Sequence, residues 1–279
     1  MINVNINSIS CQLLFSTVRI VGTKRGGVTS TGTAFFFDFT HPEEGKVMPV
    51  LVANRHVIKD CESGSFSLHE ATPDGKYSAG PFEITLDNFE KRWIEHPNGI
   101  DLCVMPIAPL LHAAIQQKKP IFRRSLGEDF IPTQESLSAL NALEDVIMTG
   151  SPIGLWDKAN NLPLFRKGIT ATHPAVDFND QPEGLVDIAA FPGSSGSPVA
   201  ILNEAFYKSS DGSITMGPRV IFLGILCKRP RLKADGHLEI VQIPTTQTPF
   251  NHAVIPVHVG IYIKSRELLH FKEMLLKMG

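Results

Sequence analysis

The sequence predicts an all-β barrel architecture in two parts, followed by a C-terminal helix. Short β-branched and aromatic runs recur along the chain with Gly, Pro, Asn and Asp turn signals between them. A polar stretch between residues 111 and 143, with Pro120 and Pro132, separates an earlier group of such runs from a later one. At 279 residues and 43% apolar composition the chain can bury a sizeable core, and one two-barrel domain of this length is ordinary.

Residues 12–21 read as a first strand, ended by Gly22-Thr23-Lys24-Arg25-Gly26-Gly27. Ser30 to Phe39 is a second strand, rich in aromatics. After the turn from Thr40 to Lys46, Val47 to Ala53 is a third and leads to His56. Residues 66–69 and 82–86 are further strands, and Asp101 to Ile107 completes the first barrel. The first barrel is assigned to 1–110, the connection to 111–143, the second barrel to 144–263 and the helix to 264–279. Within the connection Leu110 to Ile115 reads as a short helix. The second barrel begins at Asp145-Val146-Ile147-Met148, includes runs at 166–173, 184–190, 198–204 and 219–227, and closes with Ile255 to Ile263. Residues 205–218 suggest a hairpin excursion turning at Asp211-Gly212. Residues 229–252 read as a polar, proline-containing loop beside the cleft. From Lys264 to Met278, Leu268, Leu269, Phe271, Met274, Leu275 and Met278 follow a helical period, which predicts an amphipathic helix docked on its own barrel. The chain shows no internal repeat or low-complexity tract.

The chemistry centres on Phe191-Pro192-Gly193-Ser194-Ser195-Gly196-Ser197-Pro198. Gly193 and Gly196 permit backbone angles closed to other residues, and without side chains their N–H groups can converge on a reacting carbonyl. Ser195 is a poor nucleophile until a base takes its proton. His56, at the end of Leu51-Val52-Ala53-Asn54-Arg55-His56, can serve as that base, since imidazole titrates near neutrality. Asp101, heading Asp101-Leu102-Cys103-Val104, can orient the imidazole. Singly, each has a plainer reading: a buried histidine, a turn-capping aspartate, a Gly/Ser/Pro loop. Together, the order His, Asp, Ser differs from the α/β-hydrolase order, in which the serine comes first, and Ser197 breaks a strict G-x-S-x-G elbow.

Through Thr31-Gly32-Thr33-Ala34-Phe35, Ala53-Asn54-Arg55-His56, Asp101-Leu102-Cys103-Val104 and Gly193-Ser194-Ser195-Gly196-Ser197-Pro198, the chain resembles the trypsin/chymotrypsin-like serine proteases. It is most similar to bacterial, non-secreted trypsin-like peptidases related to the HtrA protease domain. Lesser support comes from Gly150-Ser151-Pro152, Gly168-Ile169-Thr170-Ala171 and Gly260-Ile261-Tyr262, so that the likeness spans almost the whole chain. The resemblance implies a single peptidase domain over 1–279, with two six-stranded antiparallel β-barrels of the chymotrypsin type and the active site between them. It implies a serine endopeptidase with His56, Asp101 and Ser195 as catalytic residues and the backbone N–H groups of Gly193 and Ser195 as the oxyanion hole. It places the substrate pocket at Ala189 and Ala190, at Cys227, Lys228 and Arg229, and around Gly260. Ala189 stands where trypsin-type members carry an aspartate, which points to a small or aliphatic residue before the cut; Lys228 and Arg229 leave an acidic one open. Two other functions stay open at this point: a catalytically silent binder of peptides or partners, and a hydrolase of small esters or amides.

A net charge of −2, with Lys and Arg dispersed, gives no nucleic-acid-binding face. No apolar run approaches the about 18–20 residues that span a bilayer, so no membrane partner is expected, and the N-terminus has no secretory pattern. Cys11, Cys61, Cys103 and Cys227 are scattered and in no metal-ligand spacing, which favours reduced thiols and a cytoplasmic location. Secreted relatives place a cysteine directly after the catalytic histidine, where this chain has Val57. The remaining histidines form no HExxH or Cys/His pattern, and neither metal nor cofactor is expected. The expected partners are a protein or peptide substrate and a regulatory protein.

Overall fold

The computed structural model of the chain describes residues 6–72, 74–152, 156–232, 238–246 and 255–278. Its spine is the strand Thr29–Thr40, whose alternating side chains face two different cores. Phe35, Phe37 and Phe39 point to one side, and Ala34 and Phe36 to the other, as the two-residue period of a strand requires. Burying each phenylalanine side chain stabilises by about 1.5–3 kcal/mol.

Around this strand lies a nine-stranded sheet. Its main path runs Tyr77–Asp87, Cys61–Ala71, Thr17–Lys24, Thr29–Thr40, Val47–Ala53, Cys103–Pro106, Ile94–Glu95. Those neighbours pair antiparallel. The stretch after the short helix Ala108–Gln116 also contributes, since Ile121–Phe122 pairs with Cys61–Ala71 and Leu126–Gly127 with Thr29–Thr40.

The later part of the chain forms a closed barrel of six antiparallel strands. Asp145–Gly150, Leu164–Thr170, Glu183–Asp187, Val259–Lys264, Arg219–Leu232 and Pro198–Asn203 follow one another, and the last pairs back onto the first. The expected hairpin excursion is present as Phe206–Lys208 and Ile214–Met216, with Gly212 at φ 86° in its turn. The sheet and the barrel share a core: Phe35, Phe37, Val50 and Val104 cluster with Phe222, Ile225, Cys227 and Ile263. Phe35 and Phe222 meet edge to face at 5.5 Å.

Three sequence expectations need correction. Residues 12–16 are not strand: Ser8 Oγ accepts the Cys11 N–H and starts a short helix, Ile9–Leu13, so the strand begins only at Thr17. The 229–252 stretch expected as a loop contains strand. Arg219–Leu232 runs four residues into it and Leu238–Gln242 pairs alongside, while 233–237 and 247–252 lie outside the described residues. The C-terminal element is a 3₁₀ segment, Ser265–Phe271, followed by one α-turn, Lys272–Leu276. It docks on the protein as expected, through Leu268, Phe271 and Leu275. At three residues per turn Leu268 and Phe271 stack on one line, so the tighter helix presents both to the core and leaves Leu269 exposed. Among the described residues no helix is long and apolar enough to cross a membrane.

Candidate active site

His56 sits in a single helical turn, Arg55–Ile58, directly after the strand Val47–Ala53. Asp101 lies on the loop between Ile94–Glu95 and Cys103–Pro106, which Gly99 turns at φ 70°. Both carboxylate oxygens are directed at His56: Oδ1 accepts its backbone N–H at 2.9 Å, and Oδ2 lies 2.6 Å from Nδ1. Asn54, fully buried, donates from Nδ2 to the Asp101 carbonyl at 2.9 Å and fixes the loop to the helix start. With the carboxylate accepting the Nδ1 proton, Nε2 is left as an acceptor. It lies 2.9 Å from Ser195 Oγ. The first sheet thus supplies the imidazole and its carboxylate, and the barrel supplies the hydroxyl.

The serine loop is clamped from both sides. Gly193 and Gly196 adopt φ of 86° and 87°. A Cβ on Gly196 would stand 1.9 Å from the Thr33 carbonyl oxygen, so only glycine fits there. Thr33 reaches the loop twice: its N–H donates to the Ser195 carbonyl at 2.9 Å and its Oγ1 to the Gly193 carbonyl at 3.1 Å. The Ser151 N–H donates back to Thr33 Oγ1 at 3.0 Å. From the barrel, Gly196 N–H donates to the Leu226 carbonyl and Leu226 N–H to the Ser197 carbonyl. A hydroxyl held this rigidly loses little entropy on reaching a reactive geometry.

The residues expected to form the pocket divide into two groups. Ala190 is buried, and its carbonyl accepts from Arg229 Nη1 at 3.0 Å; Ala189 beside it is half-buried. Burial, with Arg231 close by, holds Arg229 below the ordinary arginine range, and its Nε has no hydrogen-bond partner among the described residues. The other three contribute differently. Lys228 turns away and pairs with Glu183. Cys227 offers its carbonyl, while its Sγ faces the Ile261 carbonyl at 3.4 Å. Gly260 lines the barrel wall, where a Cβ would meet Leu226 Cδ1 at 2.7 Å.

No cysteine is paired in a disulfide. Desolvation pushes the Cys61 thiol up to about 11 and raises Cys103 and Cys227 well above their ordinary range, so none of these three is a ready thiolate. Among the described residues His96, Glu267 and His270 bring ligand-type atoms within 4.8 Å of one another. His96 already uses both ring nitrogens, Nε2 toward the Glu267 carbonyl at 3.1 Å and Nδ1 toward the Asn98 N–H at 3.2 Å. A metal would have to break those bonds, and the ring acts instead as a tie between the Asp101 loop and the C-terminal segment.

Two groups were not assigned a role from sequence. Thr33 and Asn54 stand inside stretches that carry the resemblance, yet their work is done through backbone partners that no spacing encodes. The second is Ile243-Pro244-Thr245, which lies over the serine. The Ile243 carbonyl oxygen is 3.3 Å from Ser195 Oγ, Gly193 N–H donates to the Pro244 carbonyl at 3.2 Å, and Thr31 N–H donates to the Thr245 carbonyl at 2.8 Å. The run Leu238-Glu239-Ile240-Val241-Gln242, with two adjacent β-branched residues, was the available signal for a strand leading there.

No protein-family profile matches the chain, and no curated protein matches it. Solved structures similar to it include an inactivated protease paralogue of the scabies mite, S-I1, at 10% identity and a TM-score of 0.46, covering 96% of this chain and 97% of that one. The Rv3671c protease of M. tuberculosis in its active form is similar at 12% identity and a TM-score of 0.40, covering 97% and 83%. A structure named GrC is similar at 13% identity and a TM-score of 0.45, covering 98% and 97%.

Proposed function

We propose that the chain is a serine endopeptidase in which Ser195 is the nucleophile, His56 the general base and acid, and Asp101 the orienting carboxylate. The observation that carries this reading is the continuous relay, 2.9 Å from Ser195 Oγ to His56 Nε2 and 2.6 Å from Nδ1 to Asp101. As Oγ attacks a peptide carbonyl carbon, its proton passes to Nε2, and the carbonyl electron pair moves onto oxygen. That oxyanion is received by the backbone N–H groups of Gly193 and Ser195. Collapse breaks the C–N bond, and the Nε2 proton goes to the departing amine. Water then repeats the sequence on the acyl-enzyme, giving its proton to His56 and releasing the acid with Ser195 restored. No metal or cofactor enters these steps.

The substrate in this reading is a protein or peptide, met in the cytoplasm, where four free thiols would persist, with a regulatory protein as a second partner. The test is turnover of casein and of a small ester by the wild type, Ser195→Ala, His56→Ala and Asp101→Asn. Each substitution is expected to cut turnover by about 10³-fold or more, and the triple variant to be little worse than Ser195→Ala, because residues acting as a unit are not additive. A Ser195→Ala protein that keeps most of its peptidase activity ends the assignment. Hydrolysis of the ester alone moves it to small-molecule substrates.

A further inference from the structure

We infer that residues 238–245 are an intramolecular pseudosubstrate, a strand of the chain's own that fills the substrate groove and holds the enzyme latent; the inference rests on the peptidase reading above. The segment has the geometry that an extended peptide needs in order to be cut. It joins the edge of Arg219–Leu232 as an antiparallel strand, with Lys228 opposite Gln242 and Arg229 opposite Val241. Such strand addition is a general way of holding an extended peptide. Beyond the strand, Ile243 N–H donates to the Cys227 carbonyl at 3.2 Å, and the chain crosses the nucleophile to give the Thr245 carbonyl to Thr31 N–H of the first sheet. One run of backbone therefore bridges barrel and sheet directly over Ser195.

Side chains anchor it in the same register. Ile243, 1% exposed, joins the apolar cluster of Val186, Ile188, Ala190 and Leu226. Ala190 belongs to the expected substrate pocket, so an aliphatic side chain occupies the place of the residue before the cut. Gln242 Nε2 donates to Asp101 Oδ2 at 3.3 Å, and Glu239 pairs with Arg231 at 2.8 Å. The substrate class that follows is an extended peptide with an aliphatic residue before the cut.

The seat is blocked because the two catalytic contacts fall on successive carbonyls. Acyl transfer needs the nucleophile and the oxyanion donor to converge on one carbonyl. Here Ser195 Oγ faces the Ile243 carbonyl, while Gly193 N–H is taken by the Pro244 carbonyl. Attack on Ile243 would develop an oxyanion without that donor. The serine has a single proton, and any share given to the Ile243 oxygen is withdrawn from His56 Nε2. The segment therefore occupies the site without being cut.

The test combines hydrogen exchange with labelling of Ser195 by a fluorophosphonate, in the wild type, Ile243→Asp and Arg231→Glu. The surface pair gives a variant that does not disturb the core, and Arg231→Glu with Glu239→Arg restores the attraction. In the wild type the Ile243 amide is expected to exchange at least about tenfold more slowly than an unprotected amide. Opening the groove should raise the labelling rate about tenfold or more in Ile243→Asp and about threefold in Arg231→Glu, with the charge-swapped double variant returning to the wild-type rate. Slow exchange at Ile243 with no labelling of any variant upholds the seat and removes the peptidase reading. Unprotected exchange at Ile243, or measurable labelling at one rate in all variants, overturns the inference.

Discussion

Two stretches meet at Ser195 and are held in opposite ways. The loop from Phe191 to Pro198 is fixed from both halves of the molecule: by Thr33 from the first sheet, by Leu226 from the barrel, and by Gly196 at a positive φ where no Cβ fits. The segment from Leu238 to Thr245 is held by backbone bonds to Arg219–Leu232, Gly193 and Thr31, by the buried Ile243 side chain, and by side-chain contacts of Gln242 and Glu239. Leu238 and Ile240 are 65% and 49% exposed, and the Arg231–Glu239 pair is of the kind that contributes about 0–1 kcal/mol. Ser195 is built into the frame, and the strand that covers it rests on the frame. A frame of close backbone approaches cannot give way in part, whereas a strand held by hydrogen bonds and one buried side chain can leave as a unit.

The largest expected effect falls on the frame. Gly196→Ala puts a Cβ against the Thr33 carbonyl at a φ that disfavours it, and should cost about 3 kcal/mol or more of stability together with nearly all turnover. Thr33→Val leaves the Gly193 carbonyl and the Ser151 N–H without their side-chain partner, an expected loss of about 1–3 kcal/mol. Thermal unfolding checks the first change, and kcat measured against KM the second, where kcat should fall. If either glycine or threonine can be replaced without effect, the contrast between frame and cover is broken.

A smaller effect sharpens the contrast at a seam away from Ser195. His69 donates from Nε2 to the Asn161 carbonyl at 3.0 Å, and Asn161 Nδ2 donates to the Ser67 carbonyl. Desolvation lowers the His69 pKa from 6.5, so the unfolded chain binds the proton more readily than the folded one. The stability this contributes is present above pH 6.5 and is lost as the pH falls below it. The unfolding temperature should therefore drop on acidification, and less so in His69→Phe. Equal acid sensitivity in both would place the acid-labile group elsewhere.

The division into two strand-rich halves was legible in the sequence because turn signals and β-branched runs are local properties. Val47 to Ala53 is a strand at the expected bounds, and the Asp211-Gly212 turn stands where the dipeptide puts it. His56, Asp101 and Ser195 were legible as residue types in an order. What could not be read was anything decided by a distant backbone atom. Thr33 matters because of carbonyls some 160 positions away, and Ile243, Pro244 and Thr245 matter because their carbonyls meet Ser195, Gly193 and Thr31. The N-terminal error has a local cause, since Ser8 caps a helix whose apolar residues also suit a strand.

The relay at Ser195 is tested most directly by trapping its acyl-enzyme. Ile243→Asp protein, with the groove opened, is mixed with an activated nitrophenyl ester and its intact mass is followed through the first turnover. The expected result is a burst of nitrophenol with an acyl group that maps to Ser195, absent from the same protein carrying Ser195→Ala and strongly slowed by His56→Ala. No acyl adduct, or one that persists when Ser195 is replaced, would contradict it.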